Sequence, residues 1–281
     1  MASATNQPEV FYGRIDEDAA VAYGLATNDP NDLYFQGLAV PPLYTVSLVL
    51  DSHRRSARTT LPLVPGATRR VHGEHDLRML GSVRPNMVLQ WETSVYGIRN
   101  TRGGVLDTHG TLVSDSQGRA LVEHLWSNFS LGVTVDQEVG PEKPSHTFPE
   151  AARDHPAGTR SVPVDRDQTF RYAGVSGDHV GHALDDEIAR SEGYPGKILQ
   201  GLCALGLSSG AVVDIAADGD PRRIRRLACR FSRPAFPQRD LVVDVYHAGD
   251  AKDGARSFAF EVRQEGITVI KHGRAEVSPP L

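Results

Sequence analysis

The chain has 281 residues, 40% hydrophobic and 23% charged, with a formal net charge of -5, a composition that excludes disordered and fibrous classes. Its acidic balance gives no reason to expect a nucleic-acid partner, whose binders concentrate positive charge, and no apolar run approaches the roughly 18 to 20 residues of a membrane helix. The length suits one large domain or two of roughly 140 residues.

The N-terminus, MASATNQPEV, lacks the basic and then apolar pattern of a secretory signal. Ala22 to Asp32 (AYGLATNDPND) is a short apolar stretch that runs into a polar turn, and Asp29 reads there as a turn or cap residue. Pro41 to Asp51 (PPLYTVSLVLD) is an apolar segment opened by prolines, which predicts a helix. Met87 to Tyr96 and Leu121 to Phe129 show partial period-two alternation and predict strands.

Val139 to Pro163 is rich in proline, charge and small residues and predicts a linker. It divides the chain into residues 1–138, 139–163 and 164–281. Beyond it the same order of signals returns. FRYAGVSGDHVGHALDD (170–186) repeats the turn, and KILQGLCALGLSSGAVVD (197–214) repeats the apolar segment. A helix over 198–213 could bury Ile198, Leu202, Leu205 and Val212 in one stripe, while Gly201, Gly206 and Gly210 let strands approach. Each glycine costs about 1 kcal/mol relative to alanine, so close backbone approach must offset the loss.

Arg222, Arg223, Arg225 and Arg226 read as a solvated loop or strand edge, with a phosphate contact as the sharper alternative. Asp240 to His247, Ser257 to Glu265 and Ile267 to Val277 predict strands, separated by glycine-containing turns such as Gly249 to Gly254. The repeated order of turn, central helix and antiparallel strands suggests a duplicated α+β layer fold, each half curling a sheet around one long helix.

Cys203 and Cys229 are too few for a disulfide framework and fall in no metal-ligand spacing, so a reduced, cytoplasmic setting is expected. No histidine grouping predicts a metal; His72 with His75 is too sparse. No P-loop or dinucleotide-binding glycine pattern is present, so no cofactor is expected.

YAGVSGDHVGHALDDEIARSEGYPGKILQGLCALG resembles the signature of the MaoC-like, or hydratase 2, branch of hot-dog-fold enzymes, roughly Y-x-x-x-S-G-D-x-N-P-x-H-x-D followed by P-I-x-H-G-L. The first half, NDLYFQGLAVPPLYTVSLVL, is similar to the non-catalytic N-terminal hot dog of two-domain members. The resemblance spans nearly the whole chain. It implies a double hot dog, commonly assembled further into a homodimer, acting on an acyl thioester of coenzyme A or of an acyl carrier protein as an enoyl hydratase or a 3-hydroxyacyl dehydratase. By the same resemblance Asp178 matches the catalytic aspartate, Asp185 the later aspartate, and Gly201 the glycine whose N–H contacts the thioester oxygen, with no gap between them.

That register also shows departures. Val180 stands where the family has asparagine, Gly181 where it has proline, Ala183 where it has the catalytic histidine, and Gln200 where it has the histidine before the glycine. His182 lies one residue short of the expected place, and His179 occupies a variable position that suits a surface histidine. Three readings follow. His182 turns inward to share a water with Asp178, its unperturbed pKa near 6.5 suiting a shared proton; or Asp178 acts alone in an isomerisation, a cyclisation or another proton transfer; or the protein binds an acyl thioester without catalysis. In the first half Asp29 and Asn31 echo the motif, but Tyr34 stands where a histidine is needed. Cys203 has no histidine placed to activate it and reads as core packing.

Overall fold

A computed structural model describes residues 9–250 and 254–280. Its ten strands form one antiparallel sheet in two five-stranded blocks. The first holds β1 (Val10–Arg14), β2 (Arg70–Met79), β3 (Val88–Thr101), β4 (Gly104–Asp115) and β5 (Ala120–Leu131), in the spatial order β1-β3-β4-β5-β2. The second holds β6 (Pro156–Val162), β7 (Ile224–Phe231), β8 (Leu241–Asp250), β9 (Arg256–Gln264) and β10 (Ile267–Val277), in the order β7-β10-β9-β8-β6. The blocks meet edge to edge where β2 pairs antiparallel with β7, from Glu74 opposite Arg230 to Arg78 opposite Arg226. This pairing removes the exposed edge each block would otherwise present.

Each block carries one long helix. Helix α3 (Thr45–Thr59) lies on the first, after the short α1 (Glu17–Ala26) and α2 (Asp32–Phe35). On the second lies α7 (Gly201–Ala216), after α4 (Gln168–Ser176), α5 (Gly181–Leu184) and α6 (Asp186–Ser191). The α+β arrangement of two sheet blocks, each packed on a central helix, is the one expected. Helix α7 is apolar nearly all round and is buried accordingly, with Leu205 and Val212 fully enclosed. No helix among the described residues is long and apolar enough to cross a membrane.

Several expectations need correction. The segment expected as a linker contributes β6, which pairs with β8 at the sheet edge; a strand with one exposed side carries too little apolar alternation to be read. Helix α3 begins at Thr45, not Pro41, and runs to Thr59. Its last two turns face inward with polar side chains, His53, Ser56 and then Thr60, which disguised them. Of the three glycines of α7, Gly201 makes room for the Phe231 ring of β7, as expected of a strand contact, while Gly206 and Gly210 make room for a turn of the first half. A Cβ at Gly206 would meet Thr27 Cγ2 at 2.7 Å, and one at Gly210 would meet Asp29 Cγ at 3.1 Å.

The arginine cluster is mostly structural. Arg223 and Arg226 are buried, Arg226 donating to Asp76 at 2.9 and 2.7 Å across the seam between the blocks, while Arg222 pairs with Asp220 and Arg223 with Asp218. Asp29 is no cap: its Oδ2 accepts from Tyr34 Oη at 2.8 Å, and Asn31 caps α2. The Gly249 to Gly254 turn lies partly outside the described residues.

Candidate active site

The site forms where α4 stops. Gly177 takes φ +73, a left-handed conformation that suits glycine, and its N–H donates to the Ala173 carbonyl at 3.0 Å, so the chain leaves the helix sharply. Asp178 follows, its N–H donating to Ser176 Oγ at 3.1 Å. Its carboxylate accepts from Arg54 Nη2 at 2.9 Å, and Arg54 belongs to α3 of the other half. Burial raises the Asp178 carboxyl above its ordinary pKa, and the positive charge of Arg54 offsets part of that rise.

Downstream, Gly181 opens α5 with Ile188 pressed against it; a Cβ there would sit 2.9 Å from Ile188 Cγ2. Asp185 caps α6, its Oδ1 accepting from the N–H groups of Glu187 at 2.7 Å and Ile188 at 3.1 Å. The chain then reaches Gln200, a buried side chain whose Nε2 donates to the Thr169 carbonyl and to the Asp178 carbonyl, both at 3.1 Å. This amide ties the Asp178 turn to the residue before α7. Gly201 is the first residue of that helix, where backbone N–H groups have no intrahelical acceptor and the helix dipole is positive. A carboxyl with raised proton affinity and a helix N-terminus therefore share one loop closure.

The histidines divide. Ala183, in the motif's histidine position, is fully buried. The His182 ring is turned to Glu192, with Nδ1 2.8 Å from Oε2, and packs edge-on against Tyr194 at 5.6 Å between centroids. Asp178 and His182 are near enough to interact electrostatically, yet each side chain has its hydrogen bond elsewhere, on Arg54 and Glu192. His179 is exposed. Cys203 is enclosed, and burial pushes its thiol pKa far up, which suits packing and not nucleophilic attack. No cluster of three or more metal-ligating side chains occurs among the described residues. Arg54 and Glu192 were missed by sequence reasoning: Arg54 arrives from the other half, and Glu192 lies ten residues beyond its partner His182 in the same half.

Beside the 195–197 turn that leads into α7 lies a groove of about 580 Å³, lined in part by Arg166, Phe170, Lys197, Phe236 and Arg239. Lys197 lies over the Phe170 ring and Arg239 over Phe236, at 5.9 and 4.8 Å from the centroids. Asp167 and Asp186 also line the groove, and Lys197 Nζ donates to Asp186 Oδ2 at 2.6 Å.

Residues 147–270 match the family described as MaoC like domain. A probable enoyl-CoA hydratase 2 of Dictyostelium discoideum is 23% identical over 211 residues, covering 74% of this chain and 70% of that protein. Peroxisomal multifunctional enzyme type 2 of Mus musculus is 25% identical over 271 residues, covering 92% of this chain and 35% of that enzyme, so the chain spans about a third of its length. Among solved structures, a MaoC-like dehydratase from Phytophthora capsici superposes with a TM-score of 0.82 at 22% identity, covering 98% of each chain. That likeness shows the fold, a double hot dog.

Proposed function

We propose that this chain, which carries a MaoC-like domain in its second half, is a hydro-lyase that adds water to an enoyl thioester or removes it from a 3-hydroxyacyl thioester. The observation that carries the reading is the Gln200 bridge, which holds the Asp178 turn at 3.1 Å against the start of α7. A thioester oxygen placed on the Gly201 N–H would have its developing negative charge stabilised as water bonds to C3. The Asp178 carboxyl, its proton affinity raised by burial, is suited to deliver a proton to C2 or to take one in the reverse direction. In dehydration the same groups act in the opposite order.

The groove with Phe170 and Phe236 favours coenzyme A as the carrier, since ring faces suit adenine and Arg166 suits a phosphate, with Lys197 and Arg239 able to exchange Asp186 and Glu265 for phosphate oxygens. Two buried free thiols, Cys203 and Cys229, support a reducing compartment such as the cytoplasm.

A second reading is favoured by Ala183 and by the His182 to Glu192 hydrogen bond. In it Asp178 works without an imidazole and moves a proton on the acyl group without adding water. One experiment tests both. Crotonyl-coenzyme A is incubated in deuterium oxide, following the conjugated thioester absorbance and deuterium at the acyl carbons. Loss of absorbance supports hydration; deuterium uptake at constant absorbance supports the second reading; neither change sinks both.

A further inference from the structure

We propose that Phe231, at the end of β7, is the wall that limits the acyl chain, and that the substrate is a short-chain enoyl thioester of about the size of crotonyl. The inference rests on the hydratase reading and names the acyl group that the site takes.

The proposed reaction puts the thioester oxygen on the Gly201 N–H, so whatever stands beside Gly201 bounds the acyl carbons. Phe231 stands there. A Cβ on Gly201 would meet Cδ1, Cε1 and Cζ of its ring, each at 3.4 Å, so the ring lies along the start of α7. The backbone holds this arrangement: Leu199 N–H donates to the Ala235 carbonyl at 2.8 Å, which ties the segment after β7 to the segment before α7. Phe231 is only half-buried, so part of it borders open space.

Behind Phe231 the rings continue without a break. Its ring lies 4.7 Å, centroid to centroid, from His72; His72 stacks on Trp126 at 4.4 Å and 13°, and Trp126 stacks on His53 at 4.0 Å and 16°. Near-parallel rings at these separations are in van der Waals contact, so no methylene chain passes between them. Trp126 and His53 are buried. The file runs from β7 through β2 and β5 to α3, and the pairing of β7 with β2 and of β2 with β5 keeps it closed. Beside Asp178 the neighbour from the first half is the Arg54 guanidinium, and a charged group offers an alkyl tail no hydrophobic gain.

A tail longer than that of crotonyl is therefore left in water or must displace Phe231. A pocket that enclosed the tail would raise kcat/KM about fourfold for each methylene buried, and this site should show none of that gain.

The test measures kcat/KM of the full chain with crotonyl-, hexenoyl- and octenoyl-coenzyme A, followed by loss of the conjugated thioester absorbance. Crotonyl-coenzyme A is expected to be the best of the three, with octenoyl-coenzyme A lower by about tenfold or more. In Phe231→Ala, or in the milder Phe231→Leu should the first fail to fold by circular dichroism, the ratio of the hexenoyl to the crotonyl value should rise, by about tenfold for alanine. A parent value for octenoyl equal to or above that for crotonyl overturns the proposal, and so does an unchanged ratio in a folded Phe231 variant. A parent that hydrates none of the three overturns the hydratase reading together with this one. A parent that hydrates all three equally well overturns this one alone.

Discussion

Arg54 in the helix of the first half and Asp178 in the second form an ion pair of 2.9 Å, so the carboxyl proposed to move the proton is held by the opposite half of the chain. The guanidinium favours the ionised carboxylate, and its removal must raise the proton affinity of Asp178 further. In Arg54→Gln, the limb of the kcat/KM profile that reports Asp178 should move to higher pH. A profile superimposable on that of the parent would show that the pair does not bear on catalysis.

Asp178 should also separate stability from activity. Its pKa in the folded protein is raised, so its stabilising contribution is present below the unfolded pKa and is lost as pH rises through the folded one. Once pH exceeds the folded pKa the ionised group costs stability, and Asp178→Asn removes that cost while leaving a side chain of similar shape. Thermal melting at pH 7 should show an unchanged or raised Tm, with hydration reduced about 10²-fold to 10⁴-fold. A clear fall in Tm would mean that the carboxylate is a structural anchor.

Gly201 permits a test of its N–H alone. Proline is well tolerated at the first position of a helix, and Gln200 before it, with φ -56 and ψ 139, already has the conformation that a following proline requires. Gly201→Pro should fold yet lose about 10²-fold to 10³-fold in kcat, the usual effect of removing one oxyanion donor. Gly201→Ala keeps the donor and places its Cβ at 3.4 Å from Phe231, an ordinary contact, so most of the activity should survive. Equal losses in the two variants would point to crowding and not to the hydrogen bond.

The joint between the halves has its own test. Asp76 on β2 is buried and accepts from Arg226 on β7 at 2.9 and 2.7 Å. Removing Arg226 leaves Asp76 only the longer contact to Arg78 at 3.8 Å, and Arg226→Ala should cost up to about 3–5 kcal/mol in urea unfolding. A cost below about 1 kcal/mol would show that water reaches Asp76.

The α+β fold and the central helices were legible because each rests on a local signal, apolar segments and turn residues, while Asp178, Asp185 and Gly201 were placed as candidates by fixed spacing alone. Strands such as β2, RVHGEHDLRM, were not legible. Its inward residues include His72 and His75, so the alternation that marks a half-buried strand is absent. Arg54 was illegible for another reason. Nothing near it in sequence suggests a carboxylate partner, and the packing of α3 on α4, together with the edge pairing of β2 with β7, brings Arg54 to Asp178, 124 residues away. What the site owes to the first half is therefore visible only once the halves are joined.

The histidines of the first half should make the fold sensitive to mild acid. Burial lowers His72 and His124 to about 3 and pushes His53 and His75 well below their ordinary value. Because these folded pKa values are depressed, the stability they contribute is fully present above the unfolded value near 6.5 and is lost as pH falls toward about 3. Each such imidazole can remove up to about 1.4 kcal/mol per pH unit within that window. Most carboxylates remain ionised above pH 5, so urea midpoints measured at pH 7, 6 and 5 isolate the effect. A steady fall across the three is expected, and a midpoint unchanged from pH 7 to 5 would mean that the cluster opens to solvent and protonates without unfolding.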